Sequence, residues 1–268
     1  MSKMLSNILF SRSFRRMAGK TQLFSNYNND HFHTRLSHTI EVENIAERII
    51  TATGANCNSN LARIIAVSHD LGHTPFGHAG ERALNDITYQ IDDLNGILNP
   101  LSFDKVLFKH NYYSAKVLLG LEISDSTASD AILAGVILHT GLDYRLYPLS
   151  QQEKQKTIAF YLDNYGLKKE VIKKINNGFA EASLVELSDE IAQSVSDLHD
   201  ILLSKMYIIT KKDIDTILPP KYRKEIAGYP NQIRVKSLIK IYTNYLIDGS
   251  RFKQKRFVML KPQQESIK

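Results

Sequence analysis

Cysteine is nearly absent from the sequence. Cys57 is the only one among 268 residues, so an intramolecular disulfide is excluded. A single thiol fits a reducing compartment, and we expect a cytoplasmic protein. Long apolar runs are also absent: Ala131–Leu138 falls far short of the ~20 residues that a membrane-spanning helix needs, so we expect no membrane association. Internal repeats and low-complexity linkers are lacking as well.

Convincing alternating strand patterns are scarce, whereas helical periodicity recurs along the chain, and this favours an all-α fold. Apolar residues make up 43% of the sequence, which is enough to build a proper core. We therefore expect one globular domain over residues 1–268. Its basic C-terminal segment, residues 251–268, has a pattern that fits strand, helix or tail.

Acidic residues are absent before Asp30, while cations concentrate there. This composition is also typical of a mitochondrial presequence. We favour a binding segment instead, because the basic block leads into Gln22 without a cleavage-like break. The net charge of +6 suits nucleic acid or a small polyanionic substrate, and arginine forks are well shaped to hold phosphates. The four cations of this block are Arg12, Arg15, Arg16 and Lys20.

The stretch Ser68–Glu81 carries the densest chemistry in the chain. It reads S-H-D-L-G-H-T-P-F-G-H-A-G-E and holds three histidines, an aspartate and a glutamate between small residues. Its glycines and proline allow tight turns and indicate that the preceding helix ends near Gly72. At a helix end, the neighbouring side chains of His69 and Asp70 can both point at one ion.

Two other helices can complete a metal site. His38 begins a helix with apolar residues at the helical period, and Asp189 lies on a second helix with a clear apolar side. Together with His69 and Asp70 they offer two imidazoles and two carboxylates. This mixed set suits one divalent ion such as Mn²⁺, Mg²⁺, Fe²⁺, Co²⁺ or Zn²⁺, and spacing does not choose among them.

Several further elements are predicted from periodicity and capping residues. Asp86–Leu107 looks like a long loop that serves as a lid or substrate wall. A capping box at Ser150 and Glu153 indicates a helix that ends near Gly166. The other predicted helices are Asn60–Leu71, a short one at Arg82–Ile87, Asn111–Leu121, Ser129–Leu138 and Gln232–Ser250.

The order H…HD…D, followed by G-H-x-P-F-G-H-x-G-E, resembles the HD-domain metallohydrolases, and specifically the deoxyguanosine-triphosphatase-like dNTP triphosphohydrolases. Three further blocks resemble that family in the same order, and the likeness covers roughly Phe10 to Gly249. It implies an HD-domain helical bundle that cleaves dNTPs to deoxynucleoside and tripolyphosphate. The three blocks are Ser11–Phe24, Thr34–Val42 and Phe108–Asn111.

His78 and Glu81 are three residues apart, so on a helical turn the carboxylate can reach the imidazole and orient it. The resemblance implies that this pair is the catalytic dyad. It also implies that His73 and His110 contact the triphosphate near the α-phosphorus. Either water activation or protonation of the departing 5′ oxygen could fall to His78.

The resemblance extends to substrate contacts. Residues 1–35 would contribute to the nucleotide pocket, and Arg35 would meet the phosphates. Gln22 and Asp197 would contact the sugar 3′-hydroxyl, and Gln193 stands where the family commonly has a tyrosine against the deoxyribose. This departure affects the predicted selectivity for deoxyribose. The pocket-lining residues of the basic block are Arg15, Arg16 and Leu23.

The resemblance also allows a second Mg²⁺ carried with the substrate, a nucleotide effector, single-stranded nucleic acid as a partner, and a homo-oligomer. Two other functions keep the same residues. One is an HD-type nucleotidase or phosphodiesterase, although a monophosphate does not need so many cations. The other is a nucleotide- or nucleic-acid-binding sensor with weak activity, although a chemically competent residue fills every metal and acid–base position.

Overall fold

The computed structural model describes residues 2–22, 33–94, 108–121, 126–138, 171, 179–203, 211–226 and 238–248. The all-α prediction is confirmed. Within these ranges the regular elements are helices. In addition, Thr21 and Thr34 form one isolated antiparallel β-bridge. The helix predicted after Ser150, the segment 251–268 and Leu23 lie outside the described residues.

Short helices precede the bundle, and longer ones form it. Met17–Gly19 adds one 3-10 turn. In chain order the described helices are α1 (Ser2–Leu9), α2 (Arg12–Arg16), α3 (Arg35–Thr53), α4 (Ser59–Ser68), α5 (Gly77–Leu94), α6 (His110–Gly120), α7 (Ser126–Leu138), α8 (Ala180–Leu203), α9 (Lys211–Ile217), α10 (Pro220–Ile226) and α11 (residues 238–248).

Helix α3 is capped at both ends by residues of its own sequence. Thr34 and Ser37 make a capping box at its start, and Gly54 ends it in the left-handed conformation, at φ 61°. Its inner face packs against α4 and α8. Ile40 fits the apolar spacing of this helix in the sequence, but it is half exposed. The buried apolar residues of α3 are Val42, Ile45, Ala46 and Ile49.

Helix α4 is the centre of the bundle. It contacts α3 on one side and α7 and α8 on others, so almost its whole circumference is buried. The contact with α7 is close, because a Cβ at Gly135 would lie 2.3 Å from Ile65 Cδ1. Burying each Ile of this helix stabilises the fold by roughly 1.5–3 kcal/mol.

Helix α5 corrects a prediction. The short helix at Arg82–Ile87 is the middle of a helix that runs from Gly77 to Leu94, so the predicted loop is wrong over residues 86–94. Leu84, Ile87, Ile91 and Leu94 are spaced three and four apart, which is the helical period. Asp92 and Asp93, which suggested a loop, lie within this helix, and residues 95–107 of the predicted loop lie outside the described residues.

The C-terminal part of the described chain forms a smaller apolar cluster. Leu238 and Ile241 of α11 are buried with Leu218 and Tyr222, beside the bundle core. Helix α11 lies within the predicted Gln232–Ser250 helix. No helix in the described ranges is both long enough and apolar enough to cross a bilayer.

Candidate metal centre and active site

The chain reverses sharply after α4, and Gly72 makes this possible. Ser68 is the last helical residue, and His69 caps the helix. A Cβ at residue 72 would lie 2.3 Å from the backbone nitrogen of Ser114, so only glycine lets the start of α6 approach this turn. The close approach brings His110, the first residue of α6, against the His69–Asp70 doublet.

Ser114 stabilises the contact between α6 and the turn after α4 with two hydrogen bonds. Its hydroxyl donates to the carbonyl of His69 at 2.8 Å and accepts the backbone N–H of Gly72, also at 2.8 Å. All these groups are buried. Because an unpaired buried polar group is costly, the pair of bonds fixes α6 relative to the doublet.

The four residues predicted to hold a metal lie together. Asp189 Oδ1 is 2.7 Å from His38 Nε2 and 3.7 Å from His69 Nε2. Asp70 Oδ2 is 3.6 Å from the same His69 nitrogen. One ligand atom from each of His38, His69 and Asp70 lies within 4.8 Å of the others, and these three residues are buried. The site thus combines residues from α3, α4 and its following turn, and α8.

A backbone contact orients His69. Its Nδ1 lies 2.6 Å from the carbonyl oxygen of Ala66. Since a carbonyl only accepts, Nδ1 carries the proton and Nε2 presents a lone pair toward Asp70 and Asp189. Two imidazole nitrogens and two carboxylates, held this way in a buried site, fit a divalent cation of the borderline class.

Arg35, predicted to meet the phosphates, contacts the metal set in the structure. It is buried, and its guanidinium donates to Asp70 Oδ2 at 2.8 Å, which forms an ion pair with that carboxylate. Burial alone would raise the pKa of Asp70. The neighbouring His69 and Arg35 instead hold the pKa of that carboxyl well below its usual range, and Asp70 is ionised.

Gly77 makes room for Arg35. Its backbone has a φ of 58°, and a Cβ there would lie 2.8 Å from Arg35 Nη2. Phe76, just before it, also has a positive φ, of 64°, and is exposed. A non-glycine residue in this region is strained, and such strain concentrates at functional turns.

The predicted His78–Glu81 pair forms in the first turn of α5. Nδ1 of His78 lies 3.0 Å from Oε2 of the buried Glu81, while 63% of the His78 side chain is exposed. The same carboxylate accepts the backbone N–H of His110 at 3.1 Å. Burial would raise the pKa of Glu81, but the hydrogen bonds from His110 and His78 hold it far below its usual value.

His73 is buried, and its ring stacks on that of His110 with centroids 4.2 Å apart. Neither of its ring nitrogens has a hydrogen-bond partner among the described residues. Burial lowers the pKa of His73 well below its usual value, and nearby His110 and Arg35 add to this against the opposing effect of Asp70. The ring is therefore neutral.

Three of the predicted substrate residues form a row. The side-chain amide of Gln22 donates to Gln193, and Gln193 donates to Asp197 Oδ1 at 2.6 Å. This row joins the N-terminal segment to α8. The backbone of Gln22 also donates to the carbonyl of His33, beside the bridge between Thr21 and Thr34.

The cations of the basic block differ in exposure: Arg15 and Arg16 are exposed, whereas Lys20 contacts the candidate site. Arg15 is exposed, and its guanidinium donates to the carbonyl oxygen of Phe10, within the N-terminal helices. Lys20 turns inward and donates to the carbonyl of His73. Burial lowers the pKa of Lys20, and the charge of Arg16 lowers it further. Arg16 itself is exposed.

Lys109 and Ser114 belong to the site but were not predicted. Lys109 Nζ is 3.7 Å from Glu81 Oε1, and Ser114 holds the doublet turn as described above. The F-K-H-N block contains Lys109, which is the only sequence signal for it. Ser114 reads as an ordinary helical serine, and its role appears only when α6 meets the turn.

Two comparisons relate the chain to known proteins. A family model described as the HD domain matches residues 35–168. Relatives named "Deoxyguanosinetriphosphate triphosphohydrolase-like protein" include one from Rickettsia felis (strain ATCC VR-1525 / URRWXCal2), 34% identical over 204 residues, which are 74% of this chain and 46% of that protein. Another, from Pelagibacter ubique (strain HTCC1062), is 36% identical over 200 residues, which are 75% of this chain and 48% of that protein. The chain thus spans about half the length of these relatives.

Proposed function

The chain belongs to the HD domain family, and from that premise we propose that it is a metal-dependent hydrolase acting on dNTPs. The reaction cleaves the bond at the α-phosphate and releases a deoxynucleoside and tripolyphosphate. The single observation that carries the proposal is the convergence of four side chains that could bind one metal ion, beside the His78–Glu81 pair. The names of the relatives, which specify deoxyguanosine triphosphate, support this substrate class.

In this proposal His38, His69, Asp70 and Asp189 hold one divalent ion. Such an ion supplies Lewis-acid chemistry, since it polarises a phosphoryl oxygen and makes a hydroxide available near neutral pH. The chain's own contribution is to keep the donors in the right state. The carbonyl of Ala66 fixes the tautomer of His69, and the charge of Arg35 keeps Asp70 ionised.

His78 moves a proton at Nε2. The ionised Glu81 only accepts hydrogen bonds, so the Nδ1 that faces it carries the proton and Nε2 is left to exchange protons with substrate or water. The exposed His78 ring can reach a bound nucleotide. Positioned acid–base groups of this kind typically contribute about 10²–10⁴-fold to a rate.

The neighbouring residues suit a polyanion. His73 and His110 would contact the phosphates near the α-phosphorus, and a neutral His73 can donate one hydrogen bond there. Lys20 brings positive charge to the same side, because its ammonium donates to the carbonyl of His73, and Arg16 lies near enough to Lys20 to lower its pKa. Concentrated cations favour a triphosphate over a monophosphate.

The sugar would bind at the row formed by Gln22, Gln193 and Asp197. These polar side chains are already joined by hydrogen bonds and could exchange one of those bonds for the 3′-hydroxyl, while the buried Oε1 of Gln22 has no partner among the described residues. Through this row residues 1–35 would contribute to the nucleotide pocket, as expected for one domain over residues 1–268. A nucleotide effector, a second Mg²⁺, single-stranded nucleic acid and a homo-oligomer stay predictions.

Product analysis tests the proposal. The purified chain is incubated with each dNTP and either Mn²⁺ or Mg²⁺, and the products are resolved by anion-exchange chromatography. We expect equal amounts of deoxynucleoside and tripolyphosphate. Inorganic phosphate or pyrophosphate as the first product would instead favour a nucleotidase, and binding without turnover would favour a sensor.

A further inference from the structure

The row of Gln22, Gln193 and Asp197 contains one buried atom without a partner. Gln193 Nε2 donates to Asp197 Oδ1 at 2.6 Å, and the side-chain amide of Gln22 donates to Gln193 Oε1. The remaining amide oxygen, Gln22 Oε1, is buried and accepts no hydrogen bond from the described residues. Buried polar atoms are normally satisfied, and an exception calls for a function or an occupant.

Asp197 dictates the orientation of both amides in this row. A carboxylate accepts hydrogen bonds, so the Gln193 atom that meets it is the amide nitrogen, and Gln193 Oε1 is left to face Gln22. The Gln22 atom that meets this oxygen must in turn be a donor. Turning the Gln22 amide over would bring two oxygens together, so the unpartnered atom of Gln22 is an acceptor.

The backbone around Gln22 is held in place by two further hydrogen bonds. The N–H of Gln22 donates to the carbonyl of His33 at 3.2 Å, and the carbonyl of Lys20 accepts the N–H of Arg35 at 2.9 Å. These bonds fix the segment against the residues that begin α3. Gln22 therefore cannot shift its backbone toward another donor without breaking them, and its amide oxygen stays available to a ligand.

The row lies next to the candidate metal ligands along α8. Asp189, Gln193 and Asp197 are four residues apart and share one face of the helix, with Gln193 about 6 Å beyond Asp189 along the axis. At the start of the segment that ends in the row, Lys20 donates to the carbonyl of His73, where the phosphates would lie. Because the sugar of a nucleotide is bonded to the α-phosphate through O5′, we expect the sugar to lie one helical turn from Asp189, at the row.

The acceptors of the row match a ribose better than a deoxyribose. Gln193 joins two residues that each offer an acceptor, namely Gln22 through its free Oε1 and Asp197 through its carboxylate. The single 3′-hydroxyl of a deoxynucleotide can donate to one of these two acceptors. The neighbouring 2′- and 3′-hydroxyls of a ribonucleotide can donate to both, and a carboxylate is a common partner of ribose hydroxyls in nucleotide sites.

We propose that this row binds the 2′,3′-diol of a ribose, so that the chain hydrolyses ribonucleoside triphosphates as well as dNTPs. Ribonucleotide hydrolysis rests on the proposed function, since it is the same reaction on a second sugar. The oxygen of water bonds to the α-phosphorus, the bond between phosphorus and O5′ breaks, and O5′ leaves with a proton from the water. The products are a ribonucleoside and tripolyphosphate.

Paired kinetics with GTP and dGTP, and with ATP and dATP, test the diol site. Each nucleotide is incubated with the purified chain and Mn²⁺, the nucleoside and tripolyphosphate are quantified, and kcat/KM is compared within each pair. We expect the ribonucleotide value to be no lower than about one tenth of the deoxyribonucleotide value, because a site that pairs with an extra hydroxyl does not reject it.

Gln22→Met isolates the free acceptor. Methionine has the length of glutamine but lacks the amide oxygen, so we expect the ratio of ribonucleotide to deoxyribonucleotide kcat/KM to fall about tenfold or more. Partial unfolding would lower both values and leave the ratio unchanged, since both substrates meet the same preparation. Thr216→Val is the control, because it removes a hydroxyl from the exposed face of α9, and it should keep the wild-type ratio.

The diol site and the proposed function fail separately. A wild-type ribonucleotide value below about one tenth of the deoxyribonucleotide value, or an unchanged ratio in Gln22→Met, would overturn the diol site and leave dNTP hydrolysis standing. Release of tripolyphosphate from neither class of nucleotide would overturn the proposed function, and the diol site with it.

Discussion

His33 joins the segment before α3 to α8 through Asp200. The two side chains meet at 2.6 Å, between His33 Nδ1 and Asp200 Oδ1, and the Asp200 carboxylate is fully buried. The other ring nitrogen lies 3.1 Å from Glu41 Oε1. Burial would lower the pKa of His33, but the hydrogen bonds to Asp200 and Glu41 raise it to about 10. A charged His33 therefore bridges two carboxylates next to the row of Gln22, Gln193 and Asp197.

This bridge predicts a pH dependence of stability. The folded-state pKa of about 10 lies above the ordinary value of 6.5, so the protonated ring stabilises the fold fully below pH 6.5. That contribution is lost as the pH rises toward 10. In urea denaturation we expect His33→Gln to lose on the order of 2 kcal/mol at pH 6 and to respond less to pH than wild type. Parallel curves for the two proteins from pH 6 to 10 would contradict the bridge.

Ser114 should matter more than a helical serine normally does. Replacing it with alanine leaves the Gly72 N–H and the His69 carbonyl without their buried partner, which costs about 1–3 kcal/mol. We expect Ser114→Ala to lower the free energy of unfolding and to weaken metal binding. Ser194→Ala is the control, because its hydroxyl bonds only the Glu190 carbonyl on an exposed helix face among the bonds described. Equal losses in both variants would mean that Ser114 does not hold the turn.

Gly72 and Gly120 make a matched pair of glycine tests. Gly72→Ala puts a Cβ 2.3 Å from backbone and should destabilise the chain by about 1–3 kcal/mol or more, since α6 must move. Gly120→Ala, at the far end of α6, meets nothing within 4 Å and should be neutral or stabilising by up to about 1 kcal/mol. Thermal unfolding of the two variants measures the difference. A stable Gly72→Ala protein with unchanged metal affinity would argue against the close approach.

The His78–Glu81 pair should affect rate and leave the metal in place. We expect His78→Ala to retain Mn²⁺ binding while kcat falls about 10²–10⁴-fold. Glu81→Gln should lower kcat as well, because it no longer enforces the proton on Nδ1 of His78. Steady-state kinetics with saturating Mn²⁺ would separate these effects from metal loss. A fully active His78→Ala enzyme would remove His78 from the acid–base role.

Local patterns predicted much of this architecture. The existence of α3 and α8 was predicted from apolar spacing, and the turn after His69 was predicted from its glycines and proline. The length of α5 was missed because the acidic residues Asp92 and Asp93 were read as part of a loop, although Ile87, Ile91 and Leu94 continue the helical period.

Contacts between distant parts of the chain were harder to predict. The pairing of Arg35 with Asp70 and the bonds made by Ser114 link residues 35 or more positions apart, and no local pattern encodes them. His38 and Asp189 are 151 positions apart, and they were predicted together only because metal chemistry requires several donors. Chemical necessity thus predicted a long-range contact that periodicity alone could not.

The most direct test measures both the bound metal and the reaction product in one variant of the four-residue set and in a matched control. Asp189→Asn removes a carboxylate of the four-residue set, and Asp215→Asn makes the same change on the partly exposed Asp215 of α9. With Mn²⁺ and a dNTP, we predict that the wild type and Asp215→Asn bind the metal and release tripolyphosphate, whereas Asp189→Asn does neither. Undiminished tripolyphosphate release by Asp189→Asn would contradict the account.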